Sequence, residues 1–309
     1  MAKTSDCKTL NLSYSDLSVI CMKNIDKSIT SLDLSWCRNL ACLPAEIGQF
    51  GLLTLLDLSG CSNLKCLHTE IRHLSLLTLL NLNYCFTLTH LPAEIEKLKL
   101  LTILKLSSCY MVTCLPVELC RLNLLTFLDL SFCPRLTCLP AELGQLKLLT
   151  YLDLNHCVEL TCLPAEIGQL NKLSSLDLSS CYNIPCLPAE LGQLKLLTTL
   201  NLSRCSKLTS LPSELVNLRN LKRFYSLECD LLHPDLIGYS VDIIHKTLLE
   251  HFLADITPWS RSTSHSFNDL ITSVLLGVNR SVTDFDIDPE LLEDTLTHFR
   301  NCDRCIYYE

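Results

Sequence analysis

Three groups of side chains in this 309-residue chain have types and spacings that could do chemistry. Near the C-terminus, His298, Cys302 and Cys305 read H-x₃-C-x₂-C, three of the four ligands that a tetrahedral zinc site takes. A fourth ligand is missing from the run, and nothing in the spacing brings His251 or Cys229 to it. Cys302 alone is the matching candidate for a thiol nucleophile. The second group is a pair of cysteine series. Cys37, Cys61, Cys85, Cys109, Cys133, Cys157, Cys181 and Cys205 form one; Cys42, Cys66, Cys114, Cys138, Cys162 and Cys186 form the other, with His90 and Ser210 in register. A straight column of one ligand type does not close around an ion, and a thiol tolerates burial. Both series are therefore read as buried packing, and no metal or cofactor is expected. The third group is Glu46, Glu70, Glu94, Glu118, Glu142, Glu166, Glu190 and Glu214. Paired carboxylates can do acid–base work, but each of these falls in the first turn of a short helical segment, where it complements the positive end of the helix. The expectation is a protein without catalytic residues.

The elements that hold these groups follow from a repeat. Taking the centre of each L-x-L as a marker gives Asp33, Asp57, Asn81, Lys105, Asp129, Asp153, Asp177 and Asn201, every step 24 residues. A fixed period of this length means a stack of identical units. In L-D-L the leucines alternate with an outward residue, as a short strand with one buried face requires. The following L-P-A-E-I-G-Q-L must bring the chain back, as a single helical or 3₁₀ turn that starts at proline, with glycine allowing the exit in four of the repeats. One such turn cannot enclose its own leucines. Stacked turns can, with the strands paired in parallel and the bulkier returns on the other side.

The pattern L-x-x-L-x-L-x-x-C-x-x-L resembles the leucine-rich repeat, with Cys in the place often held by Asn. Its continuation L-x-x-L-P-x-E-I-G-x-L is similar to repeats of plant intracellular immune receptors and of bacterial secreted effectors. The resemblance implies an α/β solenoid, a leucine-rich-repeat horseshoe with a parallel concave sheet, and a role in protein–protein recognition. The boundaries expected are an N-terminal cap over 1–28, eight repeats over 29–226 and a small all-α C-terminal unit over 227–309, with the register lost from about Phe224.

On the concave side the outward residues vary, and they are the candidate partner-binding positions. Trp36, Tyr84, Ile103, Phe127, Phe132 and Tyr151 offer apolar and aromatic anchors. Asp57, Asp129, Asp153 and Asp177 would select a basic protein partner. The net charge of −8 and the lack of a basic stripe argue against nucleic acid. The first residues carry no signal-peptide pattern and no run is apolar enough to span a membrane, so a reducing cytoplasm is expected, or a host-cell cytosol for a secreted effector. The sequence contains no G-x-x-x-x-G-K-[ST], H-E-x-x-H or G-x-S-x-G. The leading reading is a non-enzymatic recognition scaffold. The alternative couples the solenoid, as substrate-recognition module, to an enzymatic unit of ubiquitin-ligase type or a metal-binding unit at the C-terminus.

Overall fold

The structure is a computed structural model and describes residues 8–16 and 22–232. Ten three-residue strands form one open, fully parallel sheet in chain order. They are β1 (Thr9–Asn11), β2 (Ser31–Asp33), β3 (Leu55–Asp57), β4 (Leu79–Asn81), β5 (Ile103–Lys105), β6 (Phe127–Asp129), β7 (Tyr151–Asp153), β8 (Ser175–Asp177), β9 (Thr199–Asn201) and β10 (Arg223–Tyr225). Each strand pairs with the next without slippage, so Leu32 meets Leu56 and Asp33 meets Asp57. One face of the sheet is the core, and Leu32, Leu56, Leu80 and their successors are fully buried.

The path between strands explains why the apolar residues match neither an α-helix nor a strand. Ile47, Phe50, Leu53 and Leu56 are buried at every third residue. Backbone bonds of the 3₁₀ type tie the same positions: Ile47 N–H to Pro44 O at 3.0 Å, Phe50 to Ile47 at 3.1 Å and Leu53 to Phe50 at 3.0 Å. In a 3₁₀ turn side chains three apart eclipse, so a period of three lays one inward row. Cys37, Leu40 and Leu43 continue that period on the other flank. Among the described residues every helical segment is 3₁₀, as at Ala45–Gln49 or Ala165–Gln169. Proline stands just before the segment in extended geometry (Pro164 φ −67°, ψ 145°) and not as its first residue.

Two expectations need correction. The repeat does not stop near Phe224: β10 keeps the register, Cys229 takes the buried thiol position and Leu232 is buried. The sequence Phe224, Cys229, Leu232 preserves the inward positions, although Tyr225 replaces the polar marker and hides the continuity. The glycines of the return segments also serve close approach and not a chain exit. A Cβ on Gly144, Gly168 or Gly192 would lie 2.5, 2.4 or 2.2 Å from the carbonyl oxygen of Glu166, Glu190 or Glu214 in the next turn. At the N-terminal end, β1 adds a strand within the residues expected to be a cap. The C-terminal helices expected after residue 232, with His298, Cys302 and Cys305, lie outside the described residues.

Candidate protein-binding face

The marker residues end their strands half-buried on the outer face of the sheet. Their side chains first serve the backbone. Oδ1 of Asp33, Asp57, Asp129, Asp153 and Asp177 accepts the N–H two residues on, at 2.8–3.0 Å. This Asx turn closes the strand and sends the chain into its loop. The second oxygen is used too in three of them. Asp57 accepts from Asn81 Nδ2 and Asp177 from Asn201 Nδ2, each at 3.0 Å, while Asp153 accepts from the Tyr151 hydroxyl at 2.9 Å. All these donors are neutral. Among the described residues none of the five aspartates forms an ion pair, and neither does Lys105, the one cation of the column. Burial, reinforced by the charges of Asp177 and Asp129, holds the Asp153 carboxyl above its ordinary value. The same causes, burial first and then Asp153, push the Tyr151 hydroxyl up. The face thus carries negative charge that hydrogen bonds orient and that no ion pair among the described residues offsets, with Lys105 opposite Asp129 in the ladder as the one cation of the column.

Beside the aspartates runs a half-buried apolar row, Leu55, Leu79, Ile103, Phe127 and Tyr151. Phe127 and Tyr151 stack at 4.4 Å with an interplanar angle of 1°. The third column contains the least expected backbone. Trp36, Tyr84, Ser108, Phe132, His156, Ser180 and Arg204 all have φ between 54° and 65°, and Gly60 has φ 72°. Left-handed geometry suits glycine and costs other residues about 1–2 kcal/mol. It persists because each of these N–H groups is bound to the next turn, Trp36 N to Ser59 O at 2.6 Å and Phe132 N to Asn155 O at 2.6 Å. The lone glycine is covered: a Cβ on Gly60 would fall 2.4 Å from the Trp36 indole. Trp36 stacks between Tyr14 and Tyr84, at 6.1 and 6.2 Å, and Phe132 stacks on His156 at 4.5 Å. Tyr84 (43%) and Phe132 (44%) keep much of their surface in water.

All ten predicted positions therefore lie on one side of the sheet, in three adjacent columns. Sequence reading missed three partners in the strip. Tyr14 precedes the first repeat considered, and Phe86 and Tyr110 occupy a column two residues further on. Phe86 meets Tyr84 edge-on at 6.4 Å and stacks on Tyr110 at 4.9 Å. Also missed was a second exposed column, Leu52, Leu76, Leu100, Leu124 and Leu148, in the turns before the strands. Its signal was an extra leucine at one fixed position in consecutive repeats, masked by the general abundance of leucine.

The two cysteine series part company. The first is buried, and each thiol donates to a carbonyl one turn back, as Cys157 to Leu130 O at 3.2 Å. Cys229 continues the series, donating to Leu202 O at 3.0 Å. Burial raises these thiols above their ordinary range, and well above it at Cys109 and Cys157, so they are neutral donors. The second series is not buried packing as expected: Cys42, Cys114, Cys138, Cys162 and Cys186 are exposed and Cys66 is partly so. The inward row passes on either side of it, through Leu40 and Leu43, leaving Cys42 to point out. Among the described residues no three His, Cys, Asp or Glu side chains converge to hold a metal ion, and no helix is long and apolar enough to cross a membrane.

Comparison with known proteins adds the following. The family model for the Leucine Rich Repeat matches residues 196–218. The structure is similar to the leucine-rich repeat domain of the type III effector XopL, with TM-score 0.58, 28% identity, and coverage of 63% of this chain and 67% of that one. A leucine-rich-repeat protein of Leptospira interrogans is 32% identical over 67% of this chain and 68% of its own, with TM-score 0.31. The plant peptide hormone receptor RGFR1, solved in complex with RGF2, is 25% identical over 68% of this chain and 51% of its own, with TM-score 0.30. No curated protein matches the chain in sequence.

Proposed function

Because this chain belongs to the leucine-rich-repeat proteins, we propose that it is a recognition scaffold whose strand face binds a protein partner carrying a basic segment. The observation that carries this reading is the row of Trp36, Tyr84, Phe132 and His156 in left-handed backbone. Stability alone favours glycine there, so large rings at a strained position point to a use outside the fold. The rings and the Phe127–Tyr151 stack supply anchors. The aspartates beside them supply charge that no ion pair among the described residues offsets, which fits a rim of Lys or Arg on the partner. The solenoid itself does no chemistry in this reading; its role is to hold the columns in register. The resemblance to the domain of a type III effector supports a further step, in which the protein acts in the cytosol of a host cell. The buried thiols are consistent with a reducing compartment there.

The test is capture of partners from host-cell lysate by the full chain and by a Phe127→Ala, Phe132→Ala, Tyr151→Ala variant. Anchors of this kind cost about 2 kcal/mol or more each when truncated, so recovery of the specific partner should fall at least tenfold. A second variant, Asp129→Asn with Asp177→Asn, should weaken capture mainly at low salt. Undiminished recovery by the aromatic variant would remove the strand face from the reading.

A further inference from the structure

We propose that Cys42 and Cys66 are a redox modification site, in which a disulfide closes between the first two full turns of the solenoid. Their sulfur atoms are 3.3 Å apart. Their backbones are joined in a parallel bridge, and beside it Lys65 N–H donates to Ala41 O at 2.9 Å. Paired strands lie about 4.8 Å apart, which is inside the Cα separation of about 4.4–6.8 Å that a disulfide spans. The pair therefore needs side-chain rotation and no opening of the turns. Access is also present, because Cys42 is exposed and Cys66 partly so.

Only this pair in the column has that geometry. Cys114, Cys138, Cys162 and Cys186 are exposed and one turn apart in the same way, yet among the described residues no sulfur–sulfur contact joins them. Cys114 and Cys138 instead sit beside the hydroxyls of Thr113 and Thr137, each at 3.9 Å. His90 interrupts the series after Cys66, so the pair cannot pass its disulfide down the column. Burial, with the neighbouring sulfur, pushes the Cys42 thiol up to about 11. The reduced form gains nothing from ionisation, and such a disulfide resists reduction better than one made from acidic thiols.

The oxidant is a low-molecular-weight disulfide such as glutathione disulfide. Cys42 gives up its thiol proton to solvent and its sulfur attacks one glutathione sulfur, forming a mixed disulfide and releasing one glutathione, a step that speeds as pH rises toward about 11. The Cys66 thiolate then attacks the Cys42 sulfur and releases the second. Two protein thiols lose two electrons and two protons, and one glutathione disulfide becomes two glutathione. The bond encloses a loop of one repeat and disfavours opening of the N-terminal turns, on the order of a hundredfold if the native geometry is unstrained. Cys42 and Cys66 lie in the turns after the strands, outside the three outward columns of the proposed binding face.

The experiment equilibrates the full chain with glutathione disulfide, blocks free thiols and digests with trypsin and a glutamate-specific protease. Cleavage after Arg38, Glu46, Lys65 and Glu70 separates Cys42 from buried Cys61 and yields peptides 39–46 and 66–70. The expected product is those two peptides joined as the main internal disulfide, lost in Cys66→Ser, which should instead carry glutathione on Cys42. In the wild type, amide exchange in β2 and β3 should slow at least tenfold on oxidation and recover on reduction. Glutathione adducts on both cysteines without the joined peptides would overturn the proposal. So would cross-links of equal yield among Cys114, Cys138, Cys162 and Cys186. Joined peptides with unchanged amide exchange would overturn the stabilising role.

Discussion

The glycines of the return segments allow a graded test of how the turns stack. In Gly192→Ala the new methyl would sit 2.2 Å from Glu214 O and 2.7 Å from both Glu214 C and Cβ. Two of those atoms are backbone, so no rotamer change relieves the contact. The turns must separate by about 1 Å to restore ordinary van der Waals distance, and neighbouring ladders resist. Overpacking of this kind costs about 1–3 kcal/mol. Replacing glycine by alanine where the backbone allows it gains about 0.4–1 kcal/mol by restricting the unfolded chain. The net expectation is a loss of about 1–2 kcal/mol for Gly192→Ala, with Gly168→Ala and its 2.4 Å contact close behind. Gly48→Ala is near balance, since its nearest contacts are 3.1 and 3.2 Å. Gly51→Ala meets nothing within 4 Å and should stabilise. Urea unfolding followed by circular dichroism gives the order. Amide exchange at β9 and β10 localises the effect, which matters because repeat arrays need not unfold in one step. Equal shifts for Gly51→Ala and Gly192→Ala would refute the close-approach argument, and would return these glycines to the role of chain exit.

Other predictions concern charge and thiols. Asp153→Asn should stabilise the protein at neutral pH by about 1 kcal/mol, the Coulomb energy of one like-charge neighbour a strand away in a water-like medium. The sign follows from linkage. A carboxyl whose folded pKa is raised destabilises the fold fully above that value, and the penalty disappears as pH falls below the unfolded value. The advantage of Asn over Asp should therefore shrink in acid; an advantage that grows as pH falls would contradict the assignment. Cys157→Ala removes a fully buried sulfur and its bond to Leu130 O, and should cost about 1–3 kcal/mol in denaturant melts. Cys138→Ala at the exposed series should stay within about 0.5 kcal/mol. An aromatic disulfide reagent should titrate the exposed series in the native state and reach the Cys157 series only on unfolding.

The sheet was legible from the sequence because a single marker recurs at a fixed interval and parallel pairing leaves no freedom of register. The outward placement of the ten candidate positions was legible for the same reason: once Leu32 is inward, Asp33 must be outward. What escaped was conformation that depends on contacts between turns. The left-handed geometry of Trp36 and Phe132 has no local signal in Trp or Phe, since it is held by hydrogen bonds to Ser59 and Asn155. The exposure of Cys42 escaped because cysteine is usually buried, while the period of three that points it outward was not applied to the flank. Glycines 144, 168 and 192 were visible, but only the neighbouring Glu carbonyls show why a side chain is excluded.

These features share one cause. Thr54, Thr78, Thr102, Thr126 and Thr150 each donate a hydroxyl to the carbonyl of the equivalent residue one turn back, at 2.9–3.1 Å. The buried thiols do the same to the strand ends, and the aspartates close their own loops. The loops are thus fixed by groups repeated from turn to turn, none of which is a ring of the aromatic strip. The backbone at Trp36, Tyr84, Phe132, His156 and Arg204 is the same whatever side chain it carries. Left-handed strain at those positions is spread over a stack that stabilises each turn from both sides, so side-chain identity there is released from the demands of folding. An array built this way can change the side chains of three outward columns and leave its core untouched.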